Sequence, residues 1–218
     1  DLDEFPLSFG HEFSYDKIYR KFDEILYTSS KKHYSNLARD TANTLDTAIM
    51  KTFSNFFFLK LTNNKRVGSI IVGGGFENEN QISVDYQQLN KDMNFTSSFA
   101  KARLWKESAK HQGLSIDAKF YTGGRKQDDY ETEIRLFKDF SALDSSRIEA
   151  RFSANETAPS IFYNNYQSNH YTWNSNLKPQ QTLNANLSFA SLRNLFSMKA
   201  SISNIENYVF FNESKDIK

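Results

Sequence analysis

The sequence predicts an all-β fold, one antiparallel up-and-down sheet of about ten strands. Three observations predict it. Apolar and polar residues alternate with period two along most of the chain, the alternating stretches outrun ordinary globular strands, and their connections sort by length. Most stretches exceed ten residues, about what a tilted strand needs to cross a bilayer core. The expected architecture is therefore a transmembrane β-barrel, present here in part.

Ten stretches carry the pattern, at roughly 5–19, 47–62, 66–77, 92–106, 112–122, 128–140, 146–156, 163–176, 181–191 and 194–211. In the first, Leu7, Phe9, His11, Phe13 and Tyr15 oppose Ser8, Gly10, Glu12, Ser14 and Asp16. A long external loop is expected at about 20–46, with at most a helical turn or two. The second and fourth stretches are ambiguous, because neither parity is cleanly apolar around Phe56-Phe57-Phe58 or along Phe95 to Trp105. The third contains Gly73-Gly74-Gly75. No helix and no Lys-Ser/Thr pair follows these glycines, so they mark close packing in a curved sheet rather than a phosphate loop.

From the fifth stretch on the alternation is clean. Leu114, Ile116, Ala118 and Phe120 oppose Ser115, Asp117, Lys119 and Tyr121, and in the sixth Tyr130, Thr132, Ile134 and Leu136 oppose Glu131, Glu133 and Arg135. Ile148, Ala150, Phe152 and Ala154 oppose Arg147, Glu149, Arg151 and Ser153 in the seventh. The eighth is aromatic and Asn-rich. In the ninth, Leu183, Ala185, Leu187 and Phe189 oppose Asn184, Asn186 and Ser188; in the tenth, Phe196, Met198, Ala200 and Ile202 oppose Ser197, Lys199, Ser201 and Ser203. Connections after the second, fourth, sixth and eighth stretches are tight. Those after the first, third and seventh are longer, as in outer-membrane barrels with short turns on one rim. The fifth and ninth connections are short and break the sorting.

Composition narrows the function classes. The 218 residues hold 27 Lys+Arg against 26 Asp+Glu, which gives no electrostatic footprint for nucleic acid. Cysteine is absent, removing disulfides and thiolate chemistry. His11, His33, His111 and His170 lack metal-ligand spacing, and no nucleophile motif occurs, so neither enzyme nor cofactor is expected. The densest apolar stretch, Phe53 to Leu61, is too short and too interrupted for a membrane helix. The acidic start, Asp1 to Glu4, is no signal peptide, and the chain reads as processed or partial.

Asp117, Lys119, Glu131, Glu133, Arg135, Arg147, Glu149 and Arg151 put charge of both signs on the non-apolar face of three consecutive strands. Charge at mid-depth facing lipid costs roughly 2–4 kcal/mol, so these residues are lumen-lining candidates, with Asn184, Asn186 and Lys199. Trp105, Tyr121, Tyr130, Phe140, Tyr171 and Trp173 lie near strand ends and are candidates for aromatic girdles. The other reading is a soluble or surface-exposed β-sandwich binding glycans through its tyrosines and tryptophans.

Particular residues carry a resemblance. Phe5-Pro6-Leu7-Ser8-Phe9-Gly10-His11-Glu12-Phe13 with Tyr15 and Tyr19, then Tyr34-Ser35-Asn36, Asp40-Thr41 and Leu45-Asp46-Thr47, resemble the putative porin family of Bacteroidota outer membranes. So do Ser168-Asn169-His170-Tyr171-Thr172-Trp173-Asn174 and Ile205-Glu206-Asn207-Tyr208-Val209-Phe210-Phe211. The resemblance implies an outer-membrane barrel of which this chain is an interior portion, in contact with outer-membrane lipid and, as a scaffold subunit, with other envelope proteins. Leu114, Ile116, Ala118, Phe120, Ile134, Leu136, Ile148, Phe152, Leu183, Leu187, Met198 and Ile202 are then expected to face lipid, and the strands to form an open arc. Function follows as a weakly selective passive pore or a lumen closed by its own ion pairs.

Overall fold

The computed structural model describes residues 7–25, 43–64, 68–84, 90–108, 111–140, 146–167, 172–191 and 196–210. Nine strands form one sheet: β1 (Leu7–Ile25), β2 (Asn43–Asn64), β3 (Gly68–Val84), β4 (Asn90–Ser108), β5 (Gln112–Gly124), β6 (Tyr130–Phe140), β7 (Ser146–Thr157), β10 (Gln180–Ser191) and β11 (Phe196–Glu206). Every neighbouring pair is antiparallel and consecutive in the sheet. Between β7 and β10 lie a four-residue helix, α1 (Ile161–Asn164), and a hairpin of β8 (Asn165–Gln167) and β9 (Thr172–Asn174). The sheet is open, because β1 and β11 do not pair with each other. The expected all-β, up-and-down partial barrel is what the chain forms.

The eighth expected strand, 163–176, does not join the wall. Its sequence explains why. Ile161, Phe162 and Tyr163 are consecutive rather than alternating, five Asn follow within thirteen residues, and Pro159 and Pro179 bracket the stretch. No apolar parity exists that could face lipid. Asn164 closes the neck instead, its carbonyl accepting from Ser175 N at 2.7 Å and its Oδ1 from Leu177 N at 3.3 Å. Losing that strand shifts the parity of every later connection. Connections on one rim now span 65–67, 109–111, 141–145 and 192–195, and on the other 26–42, 85–89, 125–129 and 158–179. The last connection thus joins the short rim, while 85–89 and 125–129 on the other rim are no longer than 141–145. The expected loop at 20–46 also shrinks, since β1 runs to Ile25 and β2 starts at Asn43; residues 26–42 lie outside the described residues.

The ladder puts each predicted lipid-facing residue on one face. One cross-strand row reads Leu7, Leu61, Ile70, Leu104, Ile116, Ile134, Phe152, Ala185 and Ile202. Leu187 is 55 % and Ile202 73 % exposed, so nothing covers this face among the described residues. No second sheet packs there, as a sandwich requires.

The opposite face is concave. Strands two apart lie about 9.6 Å from each other, yet Lys119 on β5 reaches Glu77 on β3 at 3.0 Å. The Arg20 guanidinium on β1 lies 5.8 Å from the Phe162 ring, which arrives from beyond β7. This hollow also resolves the two ambiguous stretches. Phe56, Phe99 and Tyr121 form a buried aromatic cluster on it, with Phe58 and Ile71 packed alongside, while Phe57 points outward. Both parities read apolar because both faces carry apolar side chains at this level.

Candidate functional site

The concave face is built mostly from the polar parity of the strands, and many of its charges are arranged in pairs. Arg103 and Asp117 meet across β4 and β5, with Ser115 Oγ donating to Asp117 Oδ2 at 3.2 Å. Across β6 and β7, Arg135 reaches Glu149 at 2.6 Å, and Arg151 reaches Glu149 at 3.2 Å and Glu133 at 3.7 Å. Near the short-turn rim, Arg147 forks onto Asp139 at 2.6 and 2.9 Å. The ladder dictates these meetings, since Arg151 is directly opposite Arg135 and Glu149 is diagonal to it.

A denser cluster lies between β3, β5 and the β5–β6 turn. Glu77 accepts from Lys119 at 3.0 Å, from the Tyr121 hydroxyl at 2.9 Å, and from Lys126. Glu79 takes Arg125 at 2.8 Å and Lys126 at 3.1 Å. All sit at low exposure, where the mutual attraction of opposite charges offsets desolvation only because the hydrogen bonds are satisfied as well. The turn thereby folds inward against β3. It also anchors the insert after β7: Arg125 Nη1 donates to Pro159 O at 3.0 Å, and Ala158 N to Asp129 Oδ2 at 2.7 Å. Burial pushes the Asp129 carboxyl above its ordinary range, against the pull of the Ala158 N–H. Ile161 and Phe162 are buried, and Phe162 lies against Arg20 in the row where Ala48 and Ser83 are buried too.

Beyond β7 the concave face turns mostly small and polar, with Lys199 its one charge among the described residues. Asn184 donates to Ser153 Oγ at 3.2 Å and accepts from Ser203 Oγ at 2.7 Å. Asn186 is paired in the ladder with Arg151 and Ser201, and Lys199 stands exposed opposite Ser188. Glu131 occupies the same face, exposed. All the charged and Asn candidates read from the sequence thus share one face.

The girdle candidates divide. Tyr130 and Phe140 lie on the apolar parity, and Lys138 Nζ sits 5.1 Å from the Phe140 ring at the short-turn rim. Tyr121 does not belong there: it is 3 % exposed on the concave face, bonded to Glu77. Trp105 pairs with Ser69 and Ser115 and so takes the concave parity, one residue off the outward Leu104. Trp173 falls in the small hairpin rather than in the wall, and Tyr171 lies outside the described residues.

Sequence reasoning missed Glu77, Glu79, Arg103, Arg125, Lys126 and Asp139. For β3 the signal was present, since Glu77, Glu79, Gln81 and Ser83 continue the period-two run that was expected to stop at 77. The turn residues carried no periodicity to read.

A family model described as a putative porin matches residues 2–217. No curated protein and no solved structure matches the chain.

Proposed function

The chain belongs to this porin family and resides in the bacterial outer membrane, and from that premise we propose that its concave face lines a water-filled lumen for passive diffusion. The observation that carries the reading is the two-faced wall: a mainly apolar face, broken by few polar residues such as His11, Asn55 and Lys138 and without cover among the described residues, backed by a hollow face whose ion pairs mix both signs. Membership in the family speaks for a channel-type protein rather than an enzyme. Because acid and base alternate along the wall, the interior has no single-sign field, and small cations and anions pass with little preference.

A second reading, a scaffold with a closed lumen, draws on the insert. Its residue Phe162 reaches Arg20 on β1 from beyond β7, and Ile161 beside it is buried as well. Reconstituting the full-length protein in planar bilayers separates the two. Steady conductance with weak ion preference supports the channel, strong selectivity contradicts the charge argument, and silence favours the scaffold.

A further inference from the structure

On the concave face of β1 to β5 lies a recess of about 240 Å³. Two glycines of β3 lie beside it. Gly73 and Gly75 take the inward parity of β3, and a Cβ on Gly75 would stand 2.0 Å from Asn55 O and 2.8 Å from Phe99 Cζ. The Phe56 and Phe99 rings close over that gap with centroids 6.0 Å apart. They form an apolar floor, and Ser14, Thr52 and Ser54 supply hydroxyls along one side.

The charges around the recess are not equivalent. Lys119 is spent on Glu77. Glu12 and Lys101 are not: neither has an ion-pair partner among the described residues. They approach from opposite ends, Glu12 on β1 and Lys101 on β4, three strands apart. Lys101 leans toward β2, its Nζ 5.2 Å from the Phe56 ring, and Glu12 pairs directly with Phe56 in the ladder. One uncompensated anion and one uncompensated cation therefore flank an aromatic floor. A simple ion neutralises one of them, and a neutral sugar, though able to hydrogen-bond both, neutralises neither. Cations already occupy faces of both rings, Lys101 over Phe56 and Lys119 over Phe99, which leaves less for a sugar to stack upon.

We propose that this recess binds a small zwitterion of amino-acid or dipeptide size, its ammonium on Glu12 and its carboxylate on Lys101. The volume is below the roughly 300–1,000 Å³ of pockets for drug-sized ligands, which suits a solute this small. The inference rests on the lumen reading for its biological sense, though binding itself does not need an open pore.

The test is saturation-transfer NMR on the full-length protein in detergent, with glycylglycine as the probe. Its N-acetyl derivative lacks the cation, its methyl ester lacks the anion, and glucose is the neutral control. Glycylglycine should bind saturably, and each blocked derivative about tenfold more weakly, as expected for losing one charge-assisted contact. Glu12→Gln should abolish the preference for glycylglycine over the N-acetyl form, and Lys101→Gln the preference over the ester. Equal binding of all three peptides, preferential binding of glucose, or variants that keep the preference would overturn the proposal. Bilayer recordings on the same preparation keep the questions apart. Conductance without zwitterion binding sinks the site and spares the channel, whereas binding without conductance does the reverse.

Discussion

Single residues on the concave face hold more than one neighbour, and this sets the cost of removing them. Glu149 joins Arg135 and Arg151, and Arg135 Nε is already buried without a partner. Glu149→Leu should therefore cost about 1–3 kcal/mol, read as a lowered urea midpoint for unfolding from lipid vesicles. An unchanged midpoint would mean that water already screens the pair. Gly75 tests packing instead of charge. Gly75→Val forces a Cβ against the Asn55 carbonyl and the Phe99 ring, so the loss should reach the upper end of the roughly 1–3 kcal/mol typical of overpacking. At this scale the sequence was half legible. Gly73-Gly74-Gly75 announced close packing, but which side chains would fill the space over them depended on register, which no local pattern encodes.

At the scale of the strand, facing is the quantity to test, and two adjacent residues of β10 suffice. Leu187 lies on the apolar parity at 55 % exposure, and Ser188 on the polar one. Leu187→Arg should cost roughly 2–4 kcal/mol in vesicles if that face meets hydrocarbon, while Ser188→Arg should be nearly neutral. Equal costs would contradict the assignment of faces. Alternation made β5, β6, β7, β10 and β11 readable from sequence within a few residues, because each has one wet and one apolar face. It failed along Phe56 to Phe58, where both faces are apolar, and it was cut short at Glu77, where Asn78 and Asn80 interrupt the apolar parity before Ile82 and Val84 resume it. It also took 163–176 for a strand: aromatic residues favour strands in general, but without a continuous apolar parity these do not join the wall.

For the whole molecule the open question is its edges. β1 and β11 each leave one side without a neighbour in the sheet, and unpaired backbone groups in hydrocarbon cost several kcal/mol apiece. Both edges should therefore be paired in the membrane-embedded full-length protein. Amide hydrogen exchange in vesicles checks this: slow exchange along 7–15 and 198–206 is expected, and exchange at solvent rates would contradict it. A closed wall should also give a folded form that migrates differently from the boiled one on a gel. The up-and-down topology was readable from the sequence, because consecutive hairpins need only short connections. The inward fold of the 125–129 turn and the 158–164 insert was not, because it depends on ion pairs between positions far apart in the chain.

Strand length varies around the arc, and that has a consequence for traffic. β2 has 22 residues and β6 only 11, or contours of about 70 and 35 Å at roughly 3.3 Å per residue. The turns joining β2 to β3, β4 to β5 and β6 to β7 share one rim, so the surplus length stands on the other. A tall parapet thus rises beside β1 to β4 and falls away toward β11. A particle skating along the membrane surface meets a cliff from one bearing and a low sill from the other. For the channel proposed above, arrival at the mouth becomes a matter of compass direction as well as concentration.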